Sequence, residues 1–131
     1  MTRFDASTPG DRRSLFADAI LAHRQRNSEF LTVEPDTAPP TAEDELLPWI
    51  QFTERTFAMD CTDDELDRLK SLVSEFPEFR IESLDSPEEA EGTHAKISAR
   101  SDANRLASFI DGAFQRVYGY DEEYTAWVVA I

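Results

Sequence analysis

Cys61 stands just ahead of a dense run of carboxylates, Asp63, Asp64, Glu65 and Asp67, in the stretch CTDDELDRLKSL. A thiol beside four acids raises the question of a metal site. Counted as a calcium loop from Asp60, the segment supplies Thr62 and Asp64 at the third and fifth positions. It then places Glu65 where the tight turn needs glycine, and Ser71 where a bidentate glutamate is needed. The same residues suit a different purpose. Thr62 followed three residues later by Glu65 is a capping box, and acids in a first turn face the positive end of the helix dipole. Leu66, Leu69, Leu72, Val73 and Phe76 then recur at helical spacing. The spacing predicts a helix over 63–76 and no metal.

Other constellations are sparse. The four glycines are scattered, so there is no phosphate-cradling loop, and there is no CxxC or HxxxH. Cys61 and either histidine would make a nucleophilic pair only if the fold joined them, and a lone cysteine at a strand end reads as small apolar filler. His23 falls on the apolar stripe of a helix, which suits a core residue with a hydrogen bond. Glu122 and Glu123, in YGYDEEYTAW, read as a solvated acidic turn. No catalytic residue and no cofactor is assigned.

One set stands out. Arg80, His94, Lys96 and Arg100 lie in two segments that alternate apolar and polar. Phe79 and Ile81 share one face of the first, and Ala95, Ile97 and Ala99 share one face of the second. The four basic residues then project to the opposite face, with Arg55 or Trp127 joining them according to strand phase. This set is the candidate binding site. The competing reading pairs these bases with Glu82, Glu54 or acids of the segment 35–48.

The bulk numbers frame the site. The chain has 131 residues, enough for one domain with a single core, and 40% of them are hydrophobic. No apolar run approaches the roughly 20 residues of a membrane helix. The N-terminus lacks the apolar core of a secretory signal, and one cysteine makes no internal disulfide, so a cytoplasmic location is expected. There are 27 acids against 13 bases, a net charge of −14, and only Lys70 and Lys96 among the bases are lysines. This acidic, lysine-poor composition resembles that of small uncharacterised cytoplasmic proteins of halophilic archaea. Residues 1–26 run against the trend, with five arginines to three aspartates.

The elements that must position the site follow from local signals. Thr8, Pro9 and Asp11 open a first helix with Leu15, Phe16, Ala19, Ile20 and His23 on one stripe, ending near Asn27. A strand is expected over 29–34. The segment 35–48 holds four of the seven prolines and reads as a connector containing a helical turn at DELL. Residues 49–60 read as one long strand with a bulge near 54–56, because Ile50 and Phe52 are out of phase with Phe57 and Met59. Strands over 79–84 and 93–100 form a hairpin. Ser101 or Asp102 caps a helix that ends at Gly119, with Gly112 allowing close packing on the sheet, and a last strand covers 124–131.

From residue 49 the order strand, helix, strand, strand, helix, strand resembles the ferredoxin-like βαββαβ topology. The fold class is therefore α+β, a single domain with an antiparallel sheet and helices on one face. Its parts are an N-terminal helix and strand over 1–34, a connector over 35–48 and a core over 49–131. The N-terminal part extends the sheet or covers its open face. The resemblance implies no activity. The residues favour a non-enzymatic binding or regulatory module, acting as a homodimer through the sheet face or the last strand and taking an anionic ligand or an acidic partner. Two alternatives compete. One is an enzyme with a pocket between the first helix and the sheet, using His94 and a carboxylate. The other is nucleic-acid binding through Arg12, Arg13 and Arg24, which the net charge disfavours.

Overall fold

The computed structural model describes residues 5–26, 30–36, 48–86 and 92–130. Strand β1 (Asp5–Ala6) leads into helix α1 (Pro9–Arg26). Thr8 Oγ1 accepts the Asp11 backbone N–H at 3.2 Å, and Pro9 occupies a position whose N–H would have no helical partner. The helix buries Arg12, Phe16, Ala17, Ala19, Ile20 and His23. Strand β2 (Leu31–Pro35) follows, with Leu31 and Val33 inward and Thr32 and Glu34 less buried. The DELL turn and most of the proline-rich connector lie outside the described residues.

Residues 49–60 differ from the expectation of one bulged strand. They form a tight hairpin of β3 (Ile50–Thr53) and β4 (Thr56–Cys61), joined by Glu54 and Arg55. The apparent phase slip is the chain reversal itself. Ile50 pairs with Met59 and Phe52 with Phe57, so all four share the buried face. Two-residue hairpin turns need a left-handed residue, usually Gly, Asn or Asp. Here Glu54 takes that role with φ 53°, leaving no turn signal in the sequence.

Helix α2 (Asp63–Ser74) has the complete capping box: Thr62 Oγ1 accepts from the Glu65 N–H, and Glu65 Oε1 accepts from the Thr62 N–H at 2.8 Å. The hairpin of β5 (Phe79–Asp85) and β6 (Thr93–Ala99) comes next. Asp102 caps helix α3 (Ala103–Gly112), which runs on into a π-helical turn (Ala113–Val117). Gly119 ends this segment at φ +82°, a conformation that strains side-chain-bearing residues. A Cβ on Gly112 would sit 3.3 Å from Leu72 Cδ1, so the close approach there is to α2 and not, as expected, to the sheet. Strand β7 (Ala126–Ala130) closes the chain.

The seven strands among the described residues form one antiparallel sheet in the order β1-β7-β2-β3-β4-β6-β5. The fold is α+β, with three α-helices among the described residues and an open sheet. The run β4-β6-β5 is the arrangement expected of a split βαβ unit. The ferredoxin-like order would next set β7 against β4, but β2 and β3 lie between them. Strand β2 of the N-terminal part and β3 of the 49–60 hairpin therefore enter the middle of the sheet, and β7 is flanked by β1 and β2 instead of forming an apolar edge. Among the described residues the outermost strands are β1 and β5.

The helices gather over one side of the sheet. Phe109 of α3 stacks on Phe57 of β4, with ring centroids 5.0 Å apart, and meets Phe79 of β5 edge-on at 5.1 Å. Phe76 joins this cluster from the end of α2. At the other end of the helical layer, Arg12 of α1 is fully buried. Its Nε donates to Asp111 Oδ1 at 2.8 Å, and its Nη1 donates to the carbonyls of Ser7 and Tyr124, each at 2.9 Å. The guanidinium lies 4.0 Å from the Tyr124 ring centroid. Tyr124 Oη and Gln115 Nε2 also donate to Asp111. Burial, then the adjacent Asp111 carboxylate, push the Tyr124 hydroxyl up, so it stays protonated and donates.

His23 is buried as its place on the stripe implies, edge-on to Phe52 at 5.7 Å. Its Nδ1 has no hydrogen-bond partner among the described residues. Burial first, and Arg24 second, hold its pKa below the ordinary 6.5. A histidine whose folded pKa is depressed binds fewer protons folded than unfolded. Its contribution is therefore intact above the unfolded value and is lost as pH falls below 6.5 towards the folded value. Urea titrations of the wild type and His23→Phe should show it: the wild type loses stability relative to the variant as pH drops from 7 to about 5. A constant difference across that range would contradict this assignment.

Candidate functional site

Period-two alternation gives the sheet a second face. On the helix side lie Leu31, Val33, Ile50, Phe52, Phe57, Met59, Ala95, Ile97 and Ala99, all buried. Their sequence neighbours on the other side are partly or fully exposed, and no described helix covers them. Three of the four candidate residues stand on that open face. In the register, Lys96 lies between Ala58 of β4 and Ser83 of β5. Arg80 pairs with Ser98, and His94 lies between Asp60 and Asp85. Arg100 is exposed just beyond the end of β6, so strand alternation does not orient it.

The side chains of Arg80, Lys96 and Arg100 make no ion pair or hydrogen bond among the described residues, and neither Glu82 nor Glu54 pairs with them; apart from Asp36, the acids of 35–48 lie outside the described residues. His94 is different. Its Nδ1 contacts Asp60 Oδ1 at 2.8 Å, and its ring lies 6.1 Å from that of Trp49. Because the carboxylate only accepts, Nδ1 carries the proton in this contact. Asp60 and Trp49 were not legible as part of the site. Asp60 comes to His94 through the pairing of β4 with β6, and Trp49 because 49–60 is a hairpin that folds it back beside Asp60.

The opposite flank of the open face is aromatic and acidic. Trp127 is 43% exposed and pairs with Asp5 on one side and Glu34 on the other. Val129 is exposed at the irregularity where β7 meets β2, and exposed Phe30 precedes β2. Arg55 lies in the hairpin turn, exposed, with its carbonyl accepting from Ala99 N–H at 2.7 Å.

The other sequence candidates go elsewhere. His94 and α1 are on opposite sides of the sheet, so a pocket between the first helix and the sheet does not contain His94. No hydroxyl or thiol bonds His94 among the described residues, which leaves the imidazole and Asp60 without a nucleophile. Arg12 is buried in its ion pair and Arg24 donates to the Ser101 carbonyl at 3.0 Å, which removes Arg12 from any nucleic-acid surface. Glu122 and Glu123 are exposed, and no group of metal-ligating residues gathers among the described residues. A shallow depression lined by Asp67, Arg68, Ser71 and Arg116 lies between α2 and the π-helical turn. Its cations are engaged: Arg68 donates twice to the Val117 carbonyl, and Arg116 pairs with Glu75.

The whole chain, residues 1–131, matches the model of a family of unknown function, DUF7975, and the chain belongs to that family. No curated protein and no solved structure matches it. No helix among the described residues is long and apolar enough to cross a membrane.

Cys61 is buried, and its thiol is pushed up to about 12, first by burial and then by the Glu65 carboxylate. The nucleophile is the thiolate, so this group is inert near neutrality. A thiol-exchange reagent at pH 7.5 should label Cys61 only as fast as the chain unfolds, with labelling completed by denaturant. Rapid stoichiometric labelling of the native chain would contradict this.

Proposed function

We propose that the chain is a non-enzymatic binding module that presents the helix-free face of its sheet to an anionic ligand or an acidic protein surface. The observation that carries this reading is that Lys96 and Arg80 take no acid on that face among the described residues. Acids outnumber bases 27 to 13, so a cation has many intramolecular partners to choose from. Arg12, Arg105 and Arg116 each take one. Two cations left without an acid among the described residues, on a face that no described helix covers, favour a partner outside the chain.

A net charge of −14 opposes the approach of an anion. The acidic, lysine-poor composition supports a home in a salt-rich cytoplasm, where that objection weakens. At about 1 M salt the screening length is about 3 Å, so distant acids are silenced and only groups in contact decide binding. His94, held by Asp60 and flanked by Trp49, gives the face a fixed polar edge beside Lys96.

Both tryptophans report on this face, Trp49 beside His94 and Trp127 at the far flank. Poly-L-glutamate titrated into the protein in molar KCl should shift tryptophan emission and saturate. The double variant Arg80→Ala/Lys96→Ala should stay folded and lose the response. An indifferent wild type, or a variant responding as strongly, would overturn the reading.

A further inference from the structure

We infer that β5 is the pairing edge of a homodimer, in which two copies join their sheets antiparallel about a two-fold axis. Strand β5 is outermost, seven residues long, and unpaired along its outer side among the described residues. An edge of this length offers a row of backbone N–H and C=O groups to another strand. The inference rests on this edge and shares only Arg80 with the proposed open-face site.

The side chains of β5 are complementary to themselves. In one antiparallel register Arg80 lies opposite Asp85 of the second copy, Ile81 opposite Leu84, and Glu82 opposite Ser83, with each pair repeated by the symmetry. The register works because of the irregularity between Ile81 and Ser83. Along a regular strand Arg80 and Asp85 would face opposite sides, since the side-chain period is two. The extra residue, Glu82, resets the phase. Arg80 then pairs with Ser98 and Asp85 with His94, both on the open face. Ile81 pairs with Ile97 and Leu84 with Ala95, both on the helix side.

Each side of the proposed seam therefore meets its own kind. On the open face, Arg80 and Asp85 have no ion-pair partner among the described residues. On the helix side, Leu84 is 44% exposed and Ile81 is only partly buried, and the seam covers each with the other. The two open faces would become continuous. The two copies of Lys96 would then stand across three strand spacings, about 14 Å apart.

Sedimentation equilibrium in molar KCl tests this. The wild type is expected at twice the chain mass of 14.9 kDa. Arg80→Asp and Asp85→Arg each set like charges opposite one another twice, and each should raise the dissociation constant about tenfold or more. An equimolar mixture of these two variants, or the double variant R80D/D85R, should restore dimerisation. Leu84→Asp should also weaken it, with no rescue by the charge swap. D85R and L84D keep Arg80 and Lys96, so as monomers they should still respond to poly-L-glutamate. A wild type that stays monomeric at every concentration overturns the inference. So does a dimer indifferent to these substitutions, or one that the charge swap does not restore.

Discussion

The helical layer is held to the N-terminal end of the fold by one buried ion pair. The guanidinium of Arg12 takes the carboxylate of Asp111 from α3, the carbonyl of Ser7 from the lead into α1, and the carbonyl of Tyr124 from the approach to β7. Three segments distant in sequence are thereby brought to one planar group. Arginine suits this role because its donors form a fixed fork and its face stacks on the Tyr124 ring. Its remaining nitrogen, Nη2, is buried without a partner among the described residues, a residual cost of the arrangement. Buried charges are screened far less by salt than exposed ones. In a chain this acidic, the interaction that orients the helices is thus insulated from the solvent that controls its surface.

The sheet beneath the helices is one-sided. With α1, α2 and α3 committed to one face, the core is completed by Phe57, Phe76, Phe79 and Phe109 and does not need a second layer. The other face is left to Thr, Gln, Ser and Ala, with cations at one flank and Trp127, Asp5 and Glu34 at the other. Antiparallel sheets tolerate a solvated face of this kind. The central insertion of β2 and β3 widens it beyond what a four-stranded unit would offer.

Local features of the chain were legible and remote ones were not. Thr8, Thr62 and Asp102 cap their helices because capping is decided within three residues. The side to which Arg80, His94 and Lys96 project followed from neighbours one residue away. The hairpin at Glu54 escaped because a glutamate there adopts the conformation usually left to glycine. The order of the sheet escaped because β7 pairs with β2 across most of the chain, and no short-range signal encodes that choice. The ion pair did leave a trace. Arg12 lies four residues before Phe16 on an apolar stripe, and Asp111 lies between Ala107 and Phe114 on another. A lone cation on one buried stripe and a lone acid on another are each tolerable only if they meet.

The direct test of that central pair is a double-mutant cycle on unfolding free energy in molar KCl, with Arg12→Met and Asp111→Asn. Asparagine keeps an acceptor for Tyr124, so the cycle isolates the charges. Each single variant strands one buried charge and should lose about 3–5 kcal/mol. The double variant strands neither and should lose well under the sum, with a coupling of about 1–3 kcal/mol. Single losses near zero, or a double loss equal to their sum, would contradict the account.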